Sequence, residues 1–331
     1  MSILVTGAAG YIGSHTVKYL QEQGEDVVAV DNLATGHLQS IDVDKFYKVD
    51  IRDERLNEVF EKNKIDAVIH FAANSLVGES MTEPFKYYHN NVYGTLMLLN
   101  AMINHNVKKI VFSSSAATYG DVRQMPIKED VIPKPTNTYG QTKLAMEQMM
   151  KWFDTGAGMK YVSLRYFNAA GAHESGKIGE AHNPETHLIP LILQVPLGKR
   201  EYISVFGDDY DTKDGTCVRD YIHVMDLAAA HHLAYRYLMH GRESRIINLG
   251  SGDGYSVKEV IEAARKVTGH KIPTKIEGRR AGDPAKLVAS NQKAKDVLGF
   301  ELKYDDLEKI IADAWKFHQS HPNGFDANTS L

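Results

Sequence analysis

Tyr139-Gly140-Gln141-Thr142-Lys143 sets a phenol and an ammonium at positions i and i+4. On a helix that spacing brings both side chains to one face. A cation beside a phenol favours the phenolate and lowers its pKa from about 10 toward neutrality. Such a tyrosine can serve as a general base for a hydroxyl. Chance Tyr-x-x-x-Lys pairs are common, so position decides. Here Tyr139 follows Ser115 by 24 residues, and Ser115 follows the run Ile110–Phe112, read as the fourth strand of a dinucleotide fold. In an open α/β sheet, residues at strand C-termini face the bound ligand. Ser115 would then share a substrate hydroxyl with Tyr139. The alternative is that Ser113, Ser114 and Ser115 are loop serines bonding their own backbone.

A second pattern binds rather than reacts. Gly7-Ala8-Ala9-Gly10-Tyr11-Ile12-Gly13 lies directly after the first apolar run and opens an amphipathic stretch. A tight turn, close approach of backbone to pyrophosphate, and close helix–strand packing each favour a residue without a side chain. The helix N-terminus adds free N–H groups and a positive dipole end for phosphates. The spacing G-x-x-G-x-x-G is a variant of the usual fingerprint, and a turn with purely structural duty is the competing reading. Asp31 follows Gly7 by 24 positions, at the end of the second run. A carboxylate there accepts from the adenine-ribose hydroxyls and repels a 2′-phosphate. No Arg or Lys occurs from Asp31 to Ser40, so NAD is favoured over NADP. Asp50-Ile51 could reach the adenine, although Asp50 fits a plain N-cap equally well.

These residues need an alternating frame. Ile3–Val5, Val27–Val30, Ala67–Phe71 and Ile110–Phe112 are too short for helices and mostly β-branched, as buried parallel strands are. Helical stretches at Tyr11–Gln23 and Asp53–Asn63 lie between them. The fold class is therefore α/β, a Rossmann-type doubly wound parallel sheet. Around Asn168–Thr186 the texture turns to Gly, Pro, His and Asn. We divide the chain into a dinucleotide-binding domain at 1–168 and a smaller substrate domain at 169–331. Asp220–Val224 and Ile246–Leu249 look strand-like again, so the chain is expected to return to the first domain near 220–250. Late helices are expected at Lys258–Thr268 and Asp305–His318, and a fraying tail from Pro322 to Leu331.

Composition excludes several classes. A length of 331 residues makes two closely packed domains the default. A net charge of −4 gives no reason to expect a nucleic-acid partner. One cysteine, Cys217, rules out an intrachain disulfide and fits a reducing compartment. No run approaches membrane-spanning length and no leader-like segment opens the chain, so a cytoplasmic protein without membrane contact is expected. No residue set is read as a metal site.

Gly7–Gly13, the run Ser113–Gly120 and Tyr139-x-x-x-Lys143 together resemble the extended short-chain dehydrogenase/reductase family. Tyr11–His15, Arg165–Asn168, Gly215–Val224 and Arg279–Asp283 resemble that family's UDP-hexose 4-epimerase branch. The likeness runs from Ile3 to about Phe325. It implies tightly held NAD⁺, used without net consumption, and interconversion of UDP-glucose and UDP-galactose. Tyr139 would take the 4-hydroxyl proton while hydride leaves C4; the 4-keto sugar would turn over and take hydride back on its other face. Further cofactor contacts implied are Asn32, Phe71, Ala72, Asn91, Ser113 and Tyr166, alongside Tyr11 and Ile12. Asn168 and Arg219 would hold the diphosphate region, with Arg280 and Asp283 on phosphate and ribose; Arg suits a fixed bidentate phosphate grip. His187, Leu188, Phe206, Tyr221 and Leu287 complete the implied substrate contacts. A homodimer through helices near Pro84–Asn104 and Tyr139–Phe153 is implied in the same way.

Read without the resemblance, Arg219 could simply pair with Asp220, and Arg279/Arg280 could be a solvated basic spot. Three positions depart from the branch's pattern: Ser75 where a lysine is common, His187 where an asparagine is, and Ala117 where a threonine is. Two rival functions fit the residues less well. A 4,6-dehydratase needs an acid/base pair after the serine, where this chain has Ala116 and Ala117. A catalytically silent relative typically lacks the Tyr or Lys, and both are here.

Overall fold

Strand β1 (Ser2–Thr6) is buried along its length, with Ile3 and Val5 in one apolar cluster and Leu4 in another. Burial on both faces is what the short apolar runs demand of a parallel sheet. The computed structural model describes residues 2–280 and 283–325. After β1 come α1 (Tyr11–Glu22), β2 (Asp26–Asp31), β3 (Phe46–Lys48), α2 (Leu56–Lys62) and β4 (Ile65–His70). Next are α3 (Val77–Thr82), α4 (Pro84–Tyr87), a π-helical segment at Tyr88–Tyr93, α5 (Gly94–Asn104), β5 (Lys109–Ser113), α6 (Thr138–Ala157) and β6 (Lys160–Tyr166). The remainder holds β7 (Asn168–Ala170), α7 (Leu188–Leu193), β8 (Ile203–Phe206), β9 (Val218–Arg219), β10 (Tyr221–His223), α8 (Val224–Met239) and β11 (Arg245–Leu249). It closes with β12 (Tyr255–Ser256), α9 (Val257–Thr268), β13 (Thr274–Glu277), β14 (Lys286–Leu287), α10 (Gln292–Leu298) and α11 (Leu307–Ser320).

Seven strands form one parallel sheet in the order β11-β6-β5-β4-β1-β2-β3. The order reverses between β1 and β4, and the crevice beyond their C-terminal ends is where such sheets take ligands. One face packs against α1 and α8, where Ile3, Val17, Leu227 and Ala230 share a cluster. The opposite face carries Leu4, Val28, Phe112, Leu98 and Met146. A third cluster belongs to the later segments, joining Ile192, Val205, Val260 and Ile311.

Two sequence readings change. The strand before Ser115 is the fifth, because Phe46–Lys48, half-exposed at the sheet edge, also pairs with β2. The helix expected at Asp53–Asn63 begins only at Leu56, since Asp53 first closes a turn by accepting from the Arg55 N–H at 2.9 Å. The return of the chain is seen directly: β11 pairs with β6 from Arg245↔Val162 to Leu249↔Tyr166. Part of the expected fraying tail, 326–331, and Ala281-Gly282 lie outside the described residues.

Candidate active site

The glycine turn sits at the mouth of the crevice. Gly7 has φ +70°, and a Cβ there would lie 2.6 Å from the Ala72 backbone nitrogen. A Cβ on Gly13 would meet the Gly7 carbonyl oxygen at 2.0 Å, so α1 can lie this close to β1 only with glycine there. The first N–H groups of α1, from Tyr11 onward, are those that a helix leaves without internal partners, a ready anion site at the end of β1. Asp31 ends β2 almost fully buried, with Oδ2 accepting from the Ala9 N–H at 2.9 Å and Oδ1 from the Leu33 N–H at 2.7 Å. Burial pushes its carboxyl pKa up against those bonds. The turn's free donors, the missing Cβ atoms and an anchored carboxylate at the end of β2 fit a dinucleotide without a 2′-phosphate.

Asp50 takes a different part. Arg52 donates to it through Nε at 2.7 Å and NH2 at 2.6 Å, and Asn32 Nδ2 donates at 2.8 Å. Both oxygens therefore already accept, and the Arg52 bonds hold its pKa far below the carboxylate range. Asn91 is likewise engaged: its Oδ1 accepts from the Asn74 N–H at 2.8 Å, and its Nδ2 donates to the Asn74 carbonyl and to Thr142 Oγ1. These bonds fix Asn74, beside the exposed Ser75. The π-helical segment that contains Asn91 is a form often kept at functional sites.

Ser115 begins a single 3₁₀ turn, Ala116–Thr118, and its Oγ accepts from the Ala117 N–H at 3.1 Å. The loop-serine reading and the catalytic one thus coexist, since the hydroxyl hydrogen stays available. Tyr139 lies in the first turn of α6, which Asn137 caps by accepting from the Gly140 N–H at 2.8 Å. Lys143 is buried one turn on, donating from Nζ to the Ser113 carbonyl at 2.7 Å, with Nζ 4.9 Å from the Phe112 ring centroid and 5.9 Å from that of Tyr139. The Ser113 hydroxyl bonds to the Tyr166 hydroxyl. Serine, tyrosine and lysine converge above the C-terminal end of β5.

The electrostatics differ from the simple expectation. Tyr139 has its pKa raised, because burial outweighs the opposing hydrogen bond with Ser115. Burial also brings Lys143 down to about 7, against the pull of Glu147. The lysine therefore does not lower the phenol's pKa by proximity alone. Its ammonium is turned to a carbonyl, and desolvation penalises both charged forms.

Two positioning residues escaped the sequence reading. A Cβ on Gly140 would stand 2.3 Å from the Ala117 carbonyl oxygen, so only glycine lets α6 bring Tyr139 onto the Ser115 turn. Glu147 extends the Tyr139–Lys143 face by four more residues, a spacing that could have revealed it. It is buried, accepts from Ser114 Oγ at 2.6 Å and pairs with the buried Arg165, whose Nε lies 2.9 Å away. Arg165 stacks over Tyr119, whose hydroxyl donates to Asn248 Oδ1 on β11 at 2.7 Å.

The substrate-side residues gather around the shorter strands. Asn168 on β7 donates to the Asp220 carbonyl at 2.9 Å. Arg219 does not pair with Asp220: it donates to the Pro284 carbonyl at 2.8 Å and to Asp283 at 3.3 Å. Asp220 is instead buried and accepts from Ser251 and from the Ala289 N–H, tying β11 to the segment after β14. Arg280 is exposed, with its guanidinium carbon 3.8 Å from the Phe206 ring centroid, and Arg279 pairs with Asp209. Leu287 is half-buried in register with Arg219, and Tyr221 is buried on β10. His187 and Leu188 open α7, where His187 turns Nδ1 to Glu180.

Residues 3–250 match the NAD dependent epimerase/dehydratase family, and the chain belongs to it. It is 58% identical to the UDP-glucose 4-epimerase of Halalkalibacterium halodurans, over 98% of each chain. A crystal structure of UDP-glucose 4-epimerase from Brucella ovis in complex with NAD is 47% identical, with a TM-score of 0.93 over 95% of this chain and 97% of that one. The Bifidobacterium longum enzyme in complex with NAD⁺ and UDP is 43% identical, with a TM-score of 0.92 over 98% and 100%.

Proposed function

We propose that this chain catalyses the reversible C4 epimerisation of UDP-glucose and UDP-galactose with tightly bound NAD. The observation that carries the reading is the convergence of Ser115, Tyr139 and Lys143 above β5, facing the Gly7 turn and Asp31 across the sheet's reversal point. Full-length identity to UDP-glucose 4-epimerases supports it. The dinucleotide, when bound, supplies the acceptor for the C4 hydride and gives it back. As a phenolate, a form that the positive charges of Lys143 and of the oxidised cofactor would favour once the site is filled, Tyr139 takes the proton of the 4-hydroxyl as C4 is oxidised to a ketone, and returns it when C4 is reduced. Ser115 keeps its hydroxyl hydrogen to orient the same oxygen. Lys143 and Ser113, bonded to one another through the Ser113 carbonyl, hold the cofactor's ribose side, and Tyr166 backs Ser113.

Epimerisation also requires a firm grip on UDP and a loose one on the hexose. Arg219, Arg280, Asn168 and Asp283 provide the grip in this reading, with Phe206, Tyr221, His187 and Leu188 around the nucleotide and Leu287 beside the sugar. Gly7, Gly10, Tyr11, Ile12, Gly13, Asp31, Asn32, Ile51, Phe71 and Ala72 line the cofactor's path, with Asp50 and Asn91 shaping it indirectly. The division into a cofactor domain at 1–168 and a sugar-nucleotide domain from 169 follows the separate third core, with 220–250 returning to the first.

Incubation with UDP-galactose and no added NAD should yield UDP-glucose, and protein denatured after purification should release NAD. No UDP-glucose even with NAD supplied would refute the assignment, and mainly NADP in the extract would overturn the role of Asp31.

No helix among the described residues is long and apolar enough to cross a membrane. We place the enzyme in the cytoplasm on its single free cysteine and the reducing setting that implies. We also infer a homodimer. Phe85, 79% exposed, joins Tyr88, Tyr93, Leu96 and Ile103 along residues 84–104, and Trp152 on α6 is 70% exposed. Clustered exposed apolar side chains mark an interaction surface.

A further inference from the structure

The segment from Gly171 to His187, between β7 and α7, has no regular element, yet it draws four ligand-type side chains to one point. Glu180, His182, Glu185 and His187 each offer an atom within 4.8 Å of all the others. Both imidazoles aim Nδ1 at Glu180 Oε1, that of His182 from 3.1 Å and that of His187 in a short hydrogen bond. Glu185 Oε2 lies 3.8 Å from His182 Nδ1, and its Oε1 lies 3.8 Å from His187 Nδ1. That Oε1 already accepts from the backbone N–H groups of Thr186 and His187, which fixes the carboxylate.

The charge balance is what asks for a ligand. The Glu180 and Glu185 side chains are only 4% and 8% exposed. Among the described residues no Lys or Arg forms an ion pair with either. Two carboxylates taken from water this close together keep both charges only with positive charge between them. Protonated imidazoles can supply it only if both rings, with centroids 5.3 Å apart, are charged at once. One divalent cation supplies the same charge at the centre while both rings stay neutral.

We propose that Glu180, His182, Glu185 and His187 form a binding site for a divalent transition-metal ion of the zinc class. Two imidazole nitrogens and two carboxylate oxygens suit a four-coordinate borderline ion, whereas Mg²⁺ and Ca²⁺ favour oxygen-only sets. The spacing Glu-x-His-x-x-Glu-x-His lets one short loop wrap the ion. The site is a structural clip. The Tyr11 ring, at the start of α1, meets His182 edge-on at 6.1 Å, and the Tyr11 hydroxyl donates to the Gly171 carbonyl at 2.7 Å. His37, beyond β2, bonds the Ala181 carbonyl at 2.9 Å. Metal binding would therefore lock the loop that joins the dinucleotide turn to the start of α7. His187 engages the ion through Nδ1, which leaves Nε2 for the nucleotide-side contact given to it above.

The test uses the full-length protein, stripped with chelator and then offered Zn²⁺ or Co²⁺ alone. We expect one tightly retained Zn²⁺ per chain after desalting, the visible spectrum of four-coordinate Co²⁺, and a higher Tm with Zn²⁺. His182→Asn combined with Glu185→Gln should abolish retention, the spectrum and the Tm gain. Substoichiometric Zn²⁺ with an octahedral Co²⁺ spectrum in the wild type would overturn the site and leave a metal-free Glu–His cluster, as would undiminished retention in the double variant. If that variant does not fold, the wild-type spectrum and stoichiometry decide alone.

Discussion

In the proposed function, the C-terminal edge of the parallel sheet and the cluster of short strands beyond it carry the two halves of the chemistry, and the two regions differ in readiness. On the sheet side, Tyr139 and Lys143 stand on α6, Asp31 ends β2 and Ser115 opens the turn after β5, and backbone groups fix Ser115, Lys143 and Asp31 in place. On the other side, the cations suited to diphosphate are already engaged. Arg219 holds Asp283 and the Pro284 carbonyl, and Arg280 lies on Phe206. In the function proposed above, the cofactor side is the more preorganised, and UDP would displace existing partners of Arg219 and Arg280. This suits an enzyme that keeps one ligand and releases the other.

The comparison can be broken from its strongest point downward. Tyr139→Phe should leave folding and NAD content intact and slow turnover by at least about 10²-fold, the usual contribution of an acid–base group. Near-wild-type turnover would remove Tyr139 from its role. Gly140→Ala tests preorganisation without touching a reactive atom. It should drive α6 off the Ala117 carbonyl and cost about 10²-fold in kcat, as small misplacements do. A fall in Tm with kcat unchanged would mean that the close approach serves only packing.

On the substrate side the expected losses are smaller and of another kind. Arg219→Ala should raise KM roughly 10- to 100-fold, the range of a lost charge-assisted hydrogen bond, with a lesser change in kcat. A purely catalytic loss would show that Arg219 is as preorganised as Tyr139. Leu287→Ser should raise the activity ratio of UDP-N-acetylgalactosamine to UDP-galactose by roughly tenfold, since steric fit of a group or two is worth about 1–3 kcal/mol. An unchanged ratio would show that Leu287 does not limit the room for a substituent on the sugar's C2.

Lys143 supplies the smallest effect and the sharpest sign. Its folded pKa of about 7 lies below that of an unfolded lysine, so the unfolded chain binds more protons in between. The wild-type chain without cofactor should therefore gain stability as pH rises above 7, and the burial penalty is complete below that. Lys143→Met should be more stable than wild type at pH 6, with the gap narrowing by pH 9 in Tm measurements. A gap independent of pH would mean that the buried lysine keeps its proton as an unfolded one does, with no lowering of its pKa.

Legibility followed locality. The glycine turn, Asp31 and the Ser–Tyr–Lys set could be read because each sits at a fixed offset from a strand or on one helix face. The return of the chain at Ile246–Leu249 was visible as one more apolar run. Other features depend on distant partners and left no local trace. The spacing shows Asp50 only as an adenine contact or an N-cap, and cannot show that Arg52 and Asn32 bond it or that Asn74 bonds Asn91. The spacing of Tyr139 and Lys143 promised an acidified phenol, but spacing carries no information about desolvation, which decided both pKa shifts. The Glu180–His187 cluster was in plain sight as letters, yet only folding shows four side chains meeting at one point.

The pairing of β11 with β6 sets a schedule for the ribosome. β6 ends at Tyr166 and its outer partner begins at Arg245, so 245 − 166 = 79 further residues must be made before that edge can close. At 5–20 residues per second the wait is roughly 4 to 16 s. Throughout it a strand rich in buried apolar side chains presents an unpaired edge, the geometry that invites foreign strands. The nascent chain passes through a window in which six strands of the sheet exist and the seventh does not. Slowed translation between codons 167 and 244 should prolong that exposure and increase aggregation of a protein whose finished fold gives no sign of the hazard.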